Sequence, residues 1–187
     1  MFPDIKILEQ LEAQVAPLYE GKDPGHDYSH IRDLFRSVVQ LIEGESVDSE
    51  FLTLLCLFHG LWDDTRRPQT EAILRANGYT DDQIEQIYRS IFAVADGCPN
   101  RIEEALVHDA NRLERLGAHG IARTLRIAGF RGQDLDTTLM HLHRNLETTK
   151  QMFTRRGQEI AAERRQIVKQ YLKAWESETR SGTIEIP

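Results

Sequence analysis

Apolar residues recur every three or four positions along almost the whole chain, and this spacing constrains the fold more than any other feature of the sequence. It is typical of amphipathic α-helices that pack around a common core. No segment alternates between apolar and polar residues for long enough to build a β-sheet. We therefore predict an all-α bundle of eight or nine helices. The clearest helical segments cover residues 5–20, 26–43, 49–62, 68–77, 81–95, 101–116, 135–146 and 158–178.

Local signals place some of these helices more closely. The segment 49–62 is apolar on all sides, so we expect it at the centre of the bundle. Thr80 with Gln83, and Asn100 with Glu103, have the spacing of capping boxes. They predict helices that begin at about residues 81 and 101.

Length, charge and cysteine content favour one cytoplasmic domain over residues 1–187. The chain carries 23 basic and 30 acidic residues, a formal net charge of -7. Proteins that bind nucleic-acid polymers usually show a basic surface instead, whereas a small phosphorylated ligand needs only a local basic pocket. We find no apolar run that would cross a membrane and no secretory signal. Cys56 and Cys98 are not closely spaced, so we expect free thiols in a reducing compartment.

Polar side chains on separate predicted helices are the candidates for chemistry. His30 follows His26 by four residues at the start of a helix, and His59 lies near the end of the most apolar one. Asp109 lies in a third helix between apolar neighbours, where a carboxylate is costly to bury without a cation or several hydrogen-bond donors. Helical bundles build divalent-metal sites from such side chains. The alternative is that each is an ordinary surface or core residue.

Two segments resemble the HD-domain superfamily, and most closely its small, stand-alone bacterial phosphohydrolase-like branch. Residues 25–32 read GHDYSHIR and are similar to the H-D-W-x-H opening of that branch. Residues 108–123 read HDANRLERLGAHGIAR and are similar to its D-A-D-R-L-D-x-L-G-A-x-G-I-A-R pattern. The resemblance covers about residues 20–178, which leaves 179–187 as an expected flexible tail. Near the C-terminus, the residues that fit the family pattern are Thr154, Gly157, Ala161 and Arg164.

The resemblance implies a divalent metal ion, with Mn, Fe, Mg and Zn not distinguished, held by His30, His59 and Asp109. It implies a metal-dependent phosphohydrolase that acts on a small phosphorylated metabolite or nucleotide. Gly60 follows His59 where the family motif has Asp, and a second histidine of the branch is missing from 91–97. These departures support an alternative, a catalytically degenerate HD fold that serves as a ligand-binding or protein-interaction module.

Two carboxylates are candidates for the general base of such a hydrolase. If the helix that carries His59 continued, Asp63 would lie on the same face four residues later and would serve as ligand or base. Asp109 is the second candidate. For Asp63, a solvated helix end is the alternative.

Other residues would complete the predicted site. Arg66 and Arg112 are candidates for phosphate binding because guanidinium groups neutralise the charge of a phosphate. His26 and Asp27 match the family opening, and Asp27 is a candidate to orient an imidazole from behind. Asp27 is equally well placed to cap a helix.

Overall fold

Helices account for all of the regular structure in residues 2–180, the part of the chain that the computed structural model describes. A 3-10 turn, Ala16–Tyr19, follows the first helix at Pro17. The predicted all-α fold is confirmed, and the described residues form nine helices, the higher of the two predicted numbers. The nine helices in this part are α1 (Ile5–Val15), α2 (Tyr28–Leu41), α3 (Ser49–Leu57), α4 (Arg67–Ala76), α5 (Asp81–Asp96), α6 (Ile102–Leu113), α7 (Gly117–Phe130), α8 (Leu135–Thr148) and α9 (Arg155–Arg180).

Helices α3 and α6 form the centre of the bundle. Helix α6 packs against α2, α3, α5 and α9, so four neighbours surround it. Every side chain of α3 from Phe51 to Leu57 is buried, which confirms its predicted central position. In α6 the acidic residues Glu103, Glu104 and Asp109 are also buried, and each is held by hydrogen bonds.

One predicted capping box is confirmed and the other is wrong. The Thr80 hydroxyl accepts from the backbone N–H of Gln83, and the Gln83 side chain accepts from the backbone N–H of Thr80. Helix α6 instead begins after Arg101, which makes no side-chain cap. Glu103 is not free to close the box because its carboxylate accepts from the backbone N–H of Asp48 at 2.9 Å.

Helix α3 ends at Leu57, five residues before its predicted end. The chain turns at Gly60, whose φ of 80° lies in the left-handed region. The Tyr19 hydroxyl lies 2.7 Å from the carbonyl oxygens of Leu57 and of His59, and therefore fixes this turn. Lys22 donates to the carbonyl of Gly60 at 2.7 Å. These contacts fix the position of His59 just beyond the helix.

The last helix runs through residues 179 and 180, the first two of the predicted tail. The remainder of that prediction, 181–187, lies outside the described residues. Among the helices of residues 2–180, none is long and apolar enough to span a membrane.

Candidate functional site

A cavity of about 260 Å³ lies where α2, α5, α6 and α7 meet the turn that follows α3. None of the side chains that line it is a carboxylate. Three are arginines, and we call this space the arginine cavity. Its lining residues are His26, His30, His59, Val94, Ala95, Asn111, Arg112, Arg115 and Arg123.

Two histidines on separate elements meet at this cavity. The ring centroids of His30 and His59 are 5.6 Å apart, so the structure brings these two predicted residues together. Nδ1 of His59 is buried without a hydrogen-bond partner among the described residues. Burial lowers the pKa of both imidazoles to about 3, and both rings are therefore uncharged near neutral pH.

A buried carboxyl group lies behind His30. Oε2 of Glu114 is 2.7 Å from Nδ1 of His30, and only 2% of Glu114 is exposed. Burial raises the pKa of Glu114 to about 8, so the carboxyl group keeps its proton near neutral pH. Its O–H then donates to Nδ1, which leaves Nε2–H of His30 as a donor for the cavity. Sequence reasoning missed Glu114, although a carboxylate between Leu113 and Leu116 was an available signal.

The three arginines lack carboxylate partners among residues 2–180. Arg112 donates to Nε2 of His108 at 3.3 Å and to the carbonyl of Thr148 at 3.1 Å. Arg123 donates to the carbonyl of Gly25. The Arg115 side chain makes no hydrogen bond or ion pair with any described residue. Burial lowers the pKa of Arg115 and of Arg123, yet a guanidinium group stays charged in proteins.

Asp109 does not line the cavity. Its carboxylate accepts from the backbone N–H of Phe153 at 3.0 Å and of Thr154 at 2.8 Å. It also accepts from the Thr154 hydroxyl at 2.8 Å, and it lies 3.0 Å from Nδ1 of His108. The structure therefore does not bring Asp109 together with His30 and His59. Its hydrogen bonds hold the beginning of α9.

Asp63 and Arg66 bind each other rather than the cavity. The helix expected to carry Asp63 beside His59 ends at Leu57, so the two side chains do not share a helical face. The exposed Asp63 carboxylate caps a turn by accepting from the backbone N–H groups of Thr65 and Arg66 at 3.1 Å. It also pairs with the Arg66 guanidinium at 3.0 Å. Neither residue lines the arginine cavity.

The loop before α2 orients His26. Nδ1 of His26 lies 2.8 Å from the carboxylate of Asp23, which also pairs with Arg131. Asp27 instead caps α2 by accepting from the backbone N–H of Ser29 at 2.9 Å. The residue behind the imidazole is therefore Asp23, which sequence reasoning missed because the family pattern begins after it.

The cavity does not fit a divalent cation. Its metal-ligating side chains are imidazoles, without the carboxylates that offset the charge of such an ion. A divalent ion would also add two positive charges beside three guanidinium groups. Within the described chain, no group of three or more His, Cys, Asp or Glu side chains is arranged to hold a metal. The donor set suits an anion.

The chain is similar to a known protein over nearly the full length of both. No model of a known protein family matches the chain. A curated relative, the uncharacterized protein YpgQ of Bacillus subtilis, is 27% identical over 195 residues, which cover 94% of this chain and 95% of the relative.

Solved structures are similar over the same length. The structure of B. subtilis YpgQ in complex with ADP is 26% identical, with a TM-score of 0.78 over 95% of this chain and 97% of that one. The Lin1889 protein of Listeria innocua is also 26% identical, with a TM-score of 0.75 over 93% and 97%. An HD-superfamily hydrolase from Bacillus thuringiensis is 24% identical, with a TM-score of 0.74 over 96% and 100%.

Proposed function

We propose that the chain, whose fold is similar to that of an HD-superfamily hydrolase, binds a small phosphorylated ligand in the arginine cavity without a divalent metal. One observation carries this proposal. The Arg115 side chain is partly buried at a cavity without carboxylates, and its guanidinium group makes no hydrogen bond or ion pair with any described residue. A partly buried charge is stabilised by a counter-ion that hydrogen-bonds to it, so an anionic ligand is the partner that suits this site.

The surrounding donors favour phosphate over other anions. Guanidinium groups bind phosphate oxygens through paired hydrogen bonds, and three of them supply the charge for a dianion. Nε2–H of His30 adds a neutral donor. The B. subtilis relative, whose structure is a complex with ADP, supports a phosphorylated ligand by analogy.

Binding agrees with the geometry better than metal-dependent hydrolysis does. Such hydrolysis needs a metal that activates water and a carboxylate that accepts its proton. The candidate bases Asp63 and Asp109 do not line the cavity, and their carboxylates are occupied by other contacts. We therefore propose the ligand-binding alternative.

We further propose a cytoplasmic location, because the free thiol of Cys98 is exposed and suits a reducing compartment.

Calorimetric titration with inorganic phosphate in the presence of EDTA tests this function. We expect the wild-type chain to bind phosphate, and we expect Arg115→Met to lose at least about tenfold in affinity, since it removes charge-assisted hydrogen bonds. Methionine keeps the apolar stem, so we expect the variant to fold. Arg89→Met is the matched control because Arg89 is exposed on α5, outside the cavity. Equal affinity in all three proteins, or no binding by the wild type, would contradict the proposal.

A further inference from the structure

A second cavity of about 180 Å³ adjoins the arginine cavity, and we call it the side cavity. The two share His26, Arg115 and Arg123 as a common wall. Arg115 therefore borders both cavities, and a ligand bound to it lies next to the side cavity. The remaining residues that line the side cavity are Thr124, Ile127, Arg131, Gln133, His141 and Asn145.

The side cavity differs from its neighbour in charge. Apart from the shared wall, its one charged side chain within the described residues is Arg131, and the carboxylate of Asp23 neutralises it. The imidazole of His141 and the amide of Gln133 make no hydrogen bond with any described residue. The polar groups left for a ligand are therefore an imidazole and an amide, both able to form hydrogen bonds.

A polar cavity beside an anion site, with its own arginine already paired, suits the organic part of a phosphate ester. Hydroxyl groups both donate and accept hydrogen bonds, and so match an imidazole and an amide that lack partners. A second phosphate would meet the Asp23 carboxylate behind Arg131 and would gain little charge compensation. A large apolar group would leave both polar side chains unsatisfied.

We infer that the ligand is a small phosphate monoester with a hydroxylated organic group, which the side cavity recognises through His141 and Gln133. This inference rests on the proposed function, since it needs the phosphate group at Arg115. The two parts of one ligand would then occupy two cavities. The arginine cavity binds the charged phosphate group, and the side cavity recognises the hydroxyl groups.

Calorimetric titration of the full chain with three probes in EDTA tests the inference: inorganic phosphate, inorganic pyrophosphate and ribose phosphate. We expect ribose phosphate to bind at least about tenfold more tightly than inorganic phosphate, because it adds two or more hydrogen bonds. His141→Ala is expected to remove most of this gain and to leave the affinity for inorganic phosphate unchanged. His143→Ala is the matched control, since His143 is exposed on the same helix and lines neither cavity.

The outcomes separate the inference from the proposed function. If inorganic phosphate binds and ribose phosphate gains nothing, the inference fails and the proposed function stands. If pyrophosphate binds more tightly than ribose phosphate, the side cavity takes a second anion and the inference also fails. If the ester gains affinity but His141→Ala does not reduce it, recognition by His141 is refuted. Binding of none of the three probes would overturn both.

Discussion

The carboxylate of Asp109 accepts hydrogen bonds from both the backbone N–H and the hydroxyl of Thr154, each at 2.8 Å, and so joins α6 to the beginning of α9. The same carboxylate lies 3.0 Å from Nδ1 of His108, whose Nε2 accepts from Arg112. Asp109 therefore holds the fold on one side and orients a cavity arginine on the other. It does both without entering the cavity.

Replacing Asp109 should lower the stability of the folded chain rather than remove a bound metal ion. In Asp109→Asn an amide nitrogen would face backbone donors, so we expect a loss of about 2 to 3 kcal/mol in the free energy of unfolding. Urea denaturation measures this loss. Asp64→Asn is the control, since Asp64 is exposed, and it should stay within about 0.5 kcal/mol of the wild type. Unchanged stability in Asp109→Asn would refute the structural role.

Gly157 is required by the close approach of α9 to Asp109. A Cβ at residue 157 would lie 2.5 Å from Oδ2 of Asp109 and 2.7 Å from the Thr154 hydroxyl. We expect Gly157→Ala to destabilise the chain by about 1 to 3 kcal/mol through this clash. Gly129→Ala is the matched control because its Cβ would meet nothing within 4 Å. In helix α7 it should instead stabilise by about 0.5 to 1 kcal/mol. Thermal unfolding of both variants checks the contrast, and equal effects would contradict it.

The helices could be predicted from sequence, but not all of their ends. The spacing of apolar residues indicates which side chains are buried, not where a helix ends. Buried side chains continue past the end of α3, where Phe58, Leu61 and Trp62 lie in a turn. An apolar run does not distinguish a helix from a buried turn. The end at Leu57 depends on contacts with Tyr19, which is distant in sequence.

The candidate site could be predicted only in part for a similar reason. The sequence singled out His30 and His59, which the structure brings together, and Arg112, which lines the same cavity. It did not single out Arg115, because a residue pattern cannot show which arginine lacks a partner. The position of Asp109 depends on where α9 begins relative to α6, and this relation exists only in the folded chain.

The buried carboxyl group of Glu114 should make stability depend on pH. Its pKa is raised to about 8 from an ordinary value of 4.5, so the folded chain holds a proton that the unfolded chain has released. Stability conferred in this way is complete below the unfolded pKa and is lost as the pH rises through the folded one. The lowered pKa values of His30 and His59 act in the opposite direction, but only below pH 6.5.

We therefore expect the free energy of unfolding to fall by up to about 1.4 kcal/mol per pH unit between roughly pH 6.5 and 8. Glu114→Gln should remove this slope, because its amide still donates to His30 and does not titrate. Urea unfolding at several pH values measures both proteins. A slope that persists in the variant would show that another group is responsible.

A carboxylate introduced at Asn111 should reverse the preference of the cavity. Asn111 lines the cavity with the arginines, so Asn111→Asp places a negative charge beside the proposed phosphate. We expect phosphate affinity to fall at least about tenfold by repulsion and Mn²⁺ affinity to rise. Asn77→Asp adds the same charge at the end of α4, outside both cavities, and should change neither. Unchanged phosphate affinity in Asn111→Asp would place the anion elsewhere.

Calorimetric titration of the metal-free wild-type chain, with Mn²⁺ and separately with inorganic phosphate, tests directly whether the arginine cavity binds an anion rather than a metal ion. We expect phosphate to bind and Mn²⁺ not to bind, because the cavity offers three guanidinium groups and no carboxylate. Binding of one Mn²⁺ per chain that is lost in His30→Ala, with no binding of phosphate alone, would contradict this expectation.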